Sequence, residues 1–113
     1  MGGKAKVLLI EDNRGDARLI KKMLADAAQA DPDAAGFDIV RATKLSTGLK
    51  RLAREDIDVI LLDLSLPDSP GLEALASIHA QAPEAPVVVM SGPEDRGLAI
   101  EAQNKGARDY LIK

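Results

Sequence analysis

The sequence predicts an open, doubly wound α/β sheet, and three observations carry that prediction. Short apolar runs recur at Val7-Leu8-Leu9-Ile10, Val59-Ile60-Leu61-Leu62, Val87-Val88-Val89-Met90 and Tyr110-Leu111-Ile112. Runs of about four to six residues without polar alternation suit strands buried on both faces, as in a parallel sheet covered by helices. Segments with apolar residues at helical spacing separate the runs. Each run also ends on polar groups: Glu11 and Asp12, Asp63, Ser91 and Lys113. Parallel strands share one carboxyl edge, where ligands of such sheets bind, so these side chains are expected to meet there.

The elements follow in order. Val7 to Ile10 forms the first strand, and Asn13-Arg14-Gly15-Asp16 is a turn with Asp16 as the expected N-cap. Ala17, Ile20, Leu24 and Ala27 form the apolar stripe of a first helix, which Asp31-Pro32-Asp33 ends. Gly36 precedes a second strand, roughly Phe37 to Arg41. Ser46 is the expected cap of a second helix carrying Leu45, Leu49 and Leu52 on one face and running to about Glu55. The third strand covers 58 to 63. Pro67, Pro70 and Gly71 punctuate the next loop, and Leu72, Leu75, Ile78 and Ala82 mark a third helix. Pro83 and Pro86 bracket the turn into the fourth strand, where proline suits a first strand position. A weakly apolar helix from about Arg96 to Lys105 stops at Gly106, a favourable C′ residue, and Asp109 to Ile112 is the fifth strand. Strict alternation and right-handed crossovers leave a five-stranded parallel sheet of flavodoxin-like order, 2-1-3-4-5. The crossovers put the first helix on one face and the other three on the opposite face.

A chain of 113 residues builds one core and not two, so residues 1–113 are expected to form a single domain. No run approaches the roughly 20 apolar residues of a membrane span. The opening Met1-Gly2-Gly3-Lys4 lacks the apolar stretch of a signal peptide. Without cysteine there is no disulfide, thiolate metal site or thiol nucleophile, which suits a cytoplasmic protein. The net charge of −3 argues against a nucleic-acid partner, which usually calls for a basic patch. Lone His79, placed mid-helix, lacks any metal or acid–base partner and reads as solvated or partly packed.

Three carboxylates at one edge repel, and one should keep its proton unless a cation is present. Mg²⁺ resolves the conflict, being held by one or two carboxylates with waters and phosphate oxygens. With a lysine and a hydroxyl alongside, the set suits phosphoryl transfer, in which a carboxylate can itself be the nucleophile. Singly, each residue has a plain structural reading: an acid after a strand caps a helix, Ser91 before Gly92 makes a turn, and Lys113 is surface charge. The conjunction at four strand ends favours a site.

Four segments resemble the receiver domain of two-component response regulators over essentially the whole chain. They are Val7 to Asn13, Leu61 to Asp68, Met90-Ser91-Gly92 and Lys105 to Lys113. The resemblance implies that Asp63 is the phosphoacceptor for a sensor histidine kinase or phosphotransfer protein. It implies a Mg²⁺ held by Asp12, Asp63 and the backbone carbonyl of Ser65, with Glu11 acting through a water. It further implies that Lys113 pairs with the phosphoryl group, that Ser91 is the switch hydroxyl and that Tyr110 is the switch aromatic. By the same resemblance, Ser65 and Pro93 take the positions that flank the hydrolytic water in the family, and neither offers a carboxylate or amide to orient it. The Leu66-Pro67-Asp68-Ser69-Pro70-Gly71 loop also matches in register.

One departure stands out. Receivers normally continue past this lysine into a fifth helix, and here the sequence stops at Lys113. The expectation is a receiver truncated after the fifth strand, with an apolar face left for another segment or for a second copy in a homodimer. The alternative from another class is a phosphorylation-independent interaction or dimerisation module. An aspartyl phosphohydrolase would want a second acid two residues after the first, where this chain has Ser65. Catalysis beyond the module's own phosphorylation and dephosphorylation is not expected.

Overall fold

The computed structural model of the chain describes residues 4–31 and 36–113, so Pro32 and Asp33, expected to end the first helix, lie outside the described residues. The chain runs β1 (Ala5–Ile10), α1 (Arg14–Ala30), β2 (Phe37–Ala42), α2 (Leu45–Arg54) and β3 (Val59–Asp63). Two short strands follow, β4 (Ser65–Leu66) and β5 (Ser69–Pro70), then α3 (Leu72–Gln81) and β6 (Val87–Ser91). A 3₁₀ turn at Pro93–Asp95, α4 (Arg96–Asn104) and β7 (Asp109–Ile112) complete the described elements. The long strands lie in the order β2-β1-β3-β6-β7, all parallel, which is the expected 2-1-3-4-5 order. The β4–β5 pair is a separate antiparallel ribbon in the loop after Asp63.

The apolar runs divide by residue parity, because successive side chains of a strand point to opposite faces. Leu8, Ile10, Ile60, Leu62, Val87 and Val89 pack with Leu45, Leu75, Ile78 and Ala102 beneath α2, α3 and α4. Val7, Leu9, Leu61 and Met90 pack on the other face with Ala17 and Ile20 of α1. The division of one helix against three is therefore as expected. On the α1 face Val88 and Leu111 are only partly buried. Gly48 brings α2 against β1: a Cβ there would stand 2.6 Å from Ile10 Cδ1.

Helix starts differ from expectation in an instructive way. Asn13, not Asp16, caps α1: its side chain accepts the Asp16 N–H at 2.9 Å, and Asp16 occupies the first turn. Ser46 does not cap α2 either. The helix starts after Lys44 without a local side-chain cap, and Asp68 supplies one from the β4–β5 loop. Its carboxylate accepts the N–H groups of Leu45 and Ser46 at 3.0 and 3.1 Å. Ala27 is exposed, so the stripe of α1 is Ala17, Ile20 and partly buried Leu24. His79 lies in the last turn of α3, partly buried and facing Gly106. Gly106 has a φ of 115°, which ends α4 as expected.

Candidate functional site

The strand ends do converge. Glu11 follows β1 directly, and its N–H donates to Ala42 O at 3.0 Å, extending the pairing with β2 by one residue. Arg41, at the same edge of β2, donates from Nε to Glu11 O at 3.0 Å and from Nη2 to Asp12 O at 3.2 Å. This guanidinium holds the backbone of the acidic pair. Glu11 is fully buried and Asp63 is 1% exposed, whereas Asp12 is open to solvent. One carboxylate oxygen from each of the three lies within 4.8 Å of the others.

Lys113 reaches the cluster from the end of β7. Its Nζ lies 2.7 Å from Glu11 Oε1, 3.0 Å from Asp16 Oδ2 and 3.2 Å from Asp63 Oδ1. Asp63 Oδ1 also accepts the backbone N–H of Ser65 at 3.1 Å and the Ser65 hydroxyl at 2.9 Å. Ser65 is opposite Pro70 in the small ribbon, and Pro70 has no N–H to donate to the Ser65 carbonyl. Ser91 ends β6 one residue beyond Met90, the register partner of Asp63, and is buried. Its Oγ has no hydrogen-bond partner among the described residues. Tyr110 sits three residues back on β7, partly buried against the three-helix core. Pro93 is exposed in the turn after Ser91.

The electrostatics separate the carboxyls. Burial and the shared hydrogen bond with Asp63 raise Glu11 to about 7, against the opposing effect of Lys113. Burial acts the same way on Asp63, but hydrogen bonds from Glu11 and Ser65 and the charge of Lys113 outweigh it, so Asp63 stays below the usual carboxylate range. Between the two, a proton is therefore held more readily by Glu11 than by Asp63. The lysine is lifted further above its ordinary value, since its partners Glu11 and Asp16 and the charge of Asp63 overcome desolvation. Three hard oxygen donors carrying a proton they would shed to a cation fit a magnesium site.

Sequence reasoning brings together Glu11, Asp12, Asp63, Ser91 and Lys113, and the fold does the same. It does not anticipate Arg41, Asp16 as a lysine partner, or the side chain of Ser65. The position of Arg41 as the last residue of the predicted second strand is the available signal for the first of these.

Comparison with known proteins agrees with this geometry. The profile of the response regulator receiver domain matches residues 7–113. The chemotaxis protein CheY of Listeria monocytogenes is 31% identical over 111 residues, covering 96% of this chain and 85% of that protein. The KDP operon transcriptional regulatory protein KdpE of Escherichia coli is 35% identical over 107 residues, covering 95% of this chain but 44% of its own length. The solved receiver domain of NtrX from Brucella abortus matches with a TM-score of 0.80 at 28% identity, over 95% of this chain and 84% of that one. The chain belongs to the response regulator receiver-domain family of two-component systems, and is a signalling module. Phosphorylation by histidine kinases is the known role of that family, whose receivers typically bind Mg²⁺ at an acidic pocket such as the one formed by Glu11, Asp12 and Asp63. No helix among the described residues is long and apolar enough to cross a membrane.

Proposed function

We propose that Asp63 is the phosphoacceptor, taking a phosphoryl group from a phosphohistidine of a sensor kinase or phosphotransfer protein. The observation that carries this reading is the pattern around Oδ1, where Ser65 N–H, Ser65 Oγ–H and Lys113 Nζ all converge. That leaves Oδ2 as the nucleophile: its bond to phosphorus forms as the N–P bond of the donor breaks, and the imidazole leaves with the electron pair. Asp12, Asp63 and the Ser65 carbonyl would hold Mg²⁺, with Glu11 acting through a water. When bound, the ion neutralises charge on the transferring oxygens.

Lys113 stands where it can pair with a phosphoryl oxygen, and the partnerless Ser91 Oγ can donate to another. Drawing Ser91 toward the phosphate vacates space that Tyr110 can enter, a local hydrogen bond biasing a two-state packing. The module acts on itself and not on an external substrate. We place it in the cytoplasm as one receiver domain over residues 1–113, with no nucleic-acid or membrane partner. The partly open α1 face would admit a second copy, which light scattering tests.

The test is adduct formation with Mg²⁺ and beryllofluoride, followed by ¹⁹F NMR, and phosphorylation by a small phosphodonor, followed by intact mass. Wild-type protein is expected to form both adducts and D63N neither. An adduct that survives D63N, or its absence from wild type, refutes the assignment.

A further inference from the structure

Asp16 has a place in this site that the family role does not give it. Capping by Asn13 fixes the first turn of α1, and from that turn Asp16 Oδ2 takes a hydrogen bond from Lys113 Nζ at 3.0 Å. An ammonium has three N–H groups, and the three carboxylates of Glu11, Asp16 and Asp63 surround this one. Contacts of 3.0 and 3.2 Å through one nitrogen put Asp16 Oδ2 no more than about 6 Å from Asp63 Oδ1. Asp16 is nevertheless outside the set of oxygens that a cation would gather, which is Glu11, Asp12 and Asp63. A cation at that set offsets the charge of the other acids and leaves Asp16 as the lysine's uncompensated partner.

We propose that Asp16 is a positioning residue that competes with the phosphoryl group for Lys113, holding the site below its attainable affinity for that anion. This deepens the phosphoacceptor reading and rests on it. The phosphoryl oxygen must draw Nζ away from Asp16, and it must do so against the repulsion of a carboxylate that shares the same ammonium. Side-chain exposure of 38% for Asp16 and 13% for Lys113 makes the pair partly screened, which limits the size of the effect.

The discriminating variants are D16N and D16A. D16N keeps the helix cap, which uses the backbone N–H of residue 16, and leaves an oxygen able to accept from Lys113 without charge. Beryllofluoride binding in saturating Mg²⁺ is titrated by ¹⁹F NMR, and Mg²⁺ binding alone by calorimetry. D16N is expected to bind beryllofluoride about three- to tenfold more tightly, the scale of one partly screened charge. Mg²⁺ alone should bind no more tightly than to wild type, because a negative charge is gone and Lys113 settles more firmly on Glu11 and Asp63. The gain should shrink as salt rises, and D16A should share its direction. Weaker beryllofluoride with tighter Mg²⁺ would make Asp16 a simple anchor for the lysine and overturn the proposal. Unchanged affinities with a lowered melting point would make it purely structural and overturn it equally. An adduct missing from wild type overturns the phosphoacceptor reading together with this inference, whereas a normal wild-type adduct unaffected by D16N overturns this inference alone.

Discussion

Replacing Glu11 by Gln isolates the proton that the metal-free site stores. In the folded chain Glu11 ionises at about 7, and its ordinary value is 4.5. Between those values the folded state binds a proton that the unfolded chain has already lost, so stability falls as pH rises across the window. The contribution is whole below the unfolded value and gone above the folded one. At about 1.4 kcal/mol per pH unit the window holds at most about 3 kcal/mol, and relaxation beside solvent-exposed Asp12 brings this nearer to 2. Neither neighbour interferes: the lowered pKa of Asp63 acts at more acidic pH, and the raised pKa of Lys113 acts at more alkaline pH. Urea unfolding at several pH values from 5 to 8, with and without Mg²⁺, reads the effect directly. Metal-free wild type should lose roughly 2 kcal/mol relative to E11Q across that range. Mg²⁺ binding to wild type should strengthen with pH up to neutrality and then level off, as the bound proton ceases to compete. A wild-type profile parallel to that of E11Q would refute the protonation scheme.

Three further outcomes are expected. D68A should destabilise the fold by about 1–2 kcal/mol and lower the melting point by several degrees, because two N–H groups of α2 lose the carboxylate that caps them; since those bonds hold Asp68 below the usual carboxylate range, the gap from wild type should close as pH falls through the Asp68 pKa. G48A should cost about 1–2 kcal/mol in denaturant unfolding despite better helix propensity, since its Cβ would meet Ile10 Cδ1, and I10V should be less harmful in that background than in wild type. R41K keeps the charge but not the two-pronged grip on Glu11 O and Asp12 O, so Mg²⁺ affinity measured by calorimetry should fall several-fold.

The acidic site was legible because its members obey one rule, that parallel strands end together. Glu11, Asp63, Ser91 and Lys113 each follow an apolar run, and the sheet order 2-1-3-4-5 does the rest. The same rule extends to Arg41 at the end of β2, although nothing in the local sequence shows that its guanidinium meets two carbonyls. Helix caps were less legible, because a cap depends on which oxygen reaches a backbone N–H and not on residue type alone. Asn13 and Asp16 are both good capping residues, and only the backbone decides between them. Asp68 caps a helix 23 residues earlier in the chain, and Asp16 meets a lysine 97 residues later. No local pattern encodes contacts at those separations. The β4–β5 ribbon has only two residues per strand, too few for an alternation to register, so its proline and glycine announce a turn and nothing more.

The lone hydroxyl of Ser91 has a consequence for evolution and engineering. Among the described residues that buried oxygen has no partner, and a buried hydroxyl left so costs on the order of 1–3 kcal/mol before local relaxation. Alanine at that position would remove the burden together with the donor proposed to answer a phosphate. Selection for heat resistance alone would therefore favour a silent variant, sturdier and unresponsive. Retaining serine there is a standing trade of robustness for readiness, and libraries screened by melting point should be counter-screened for response at position 91.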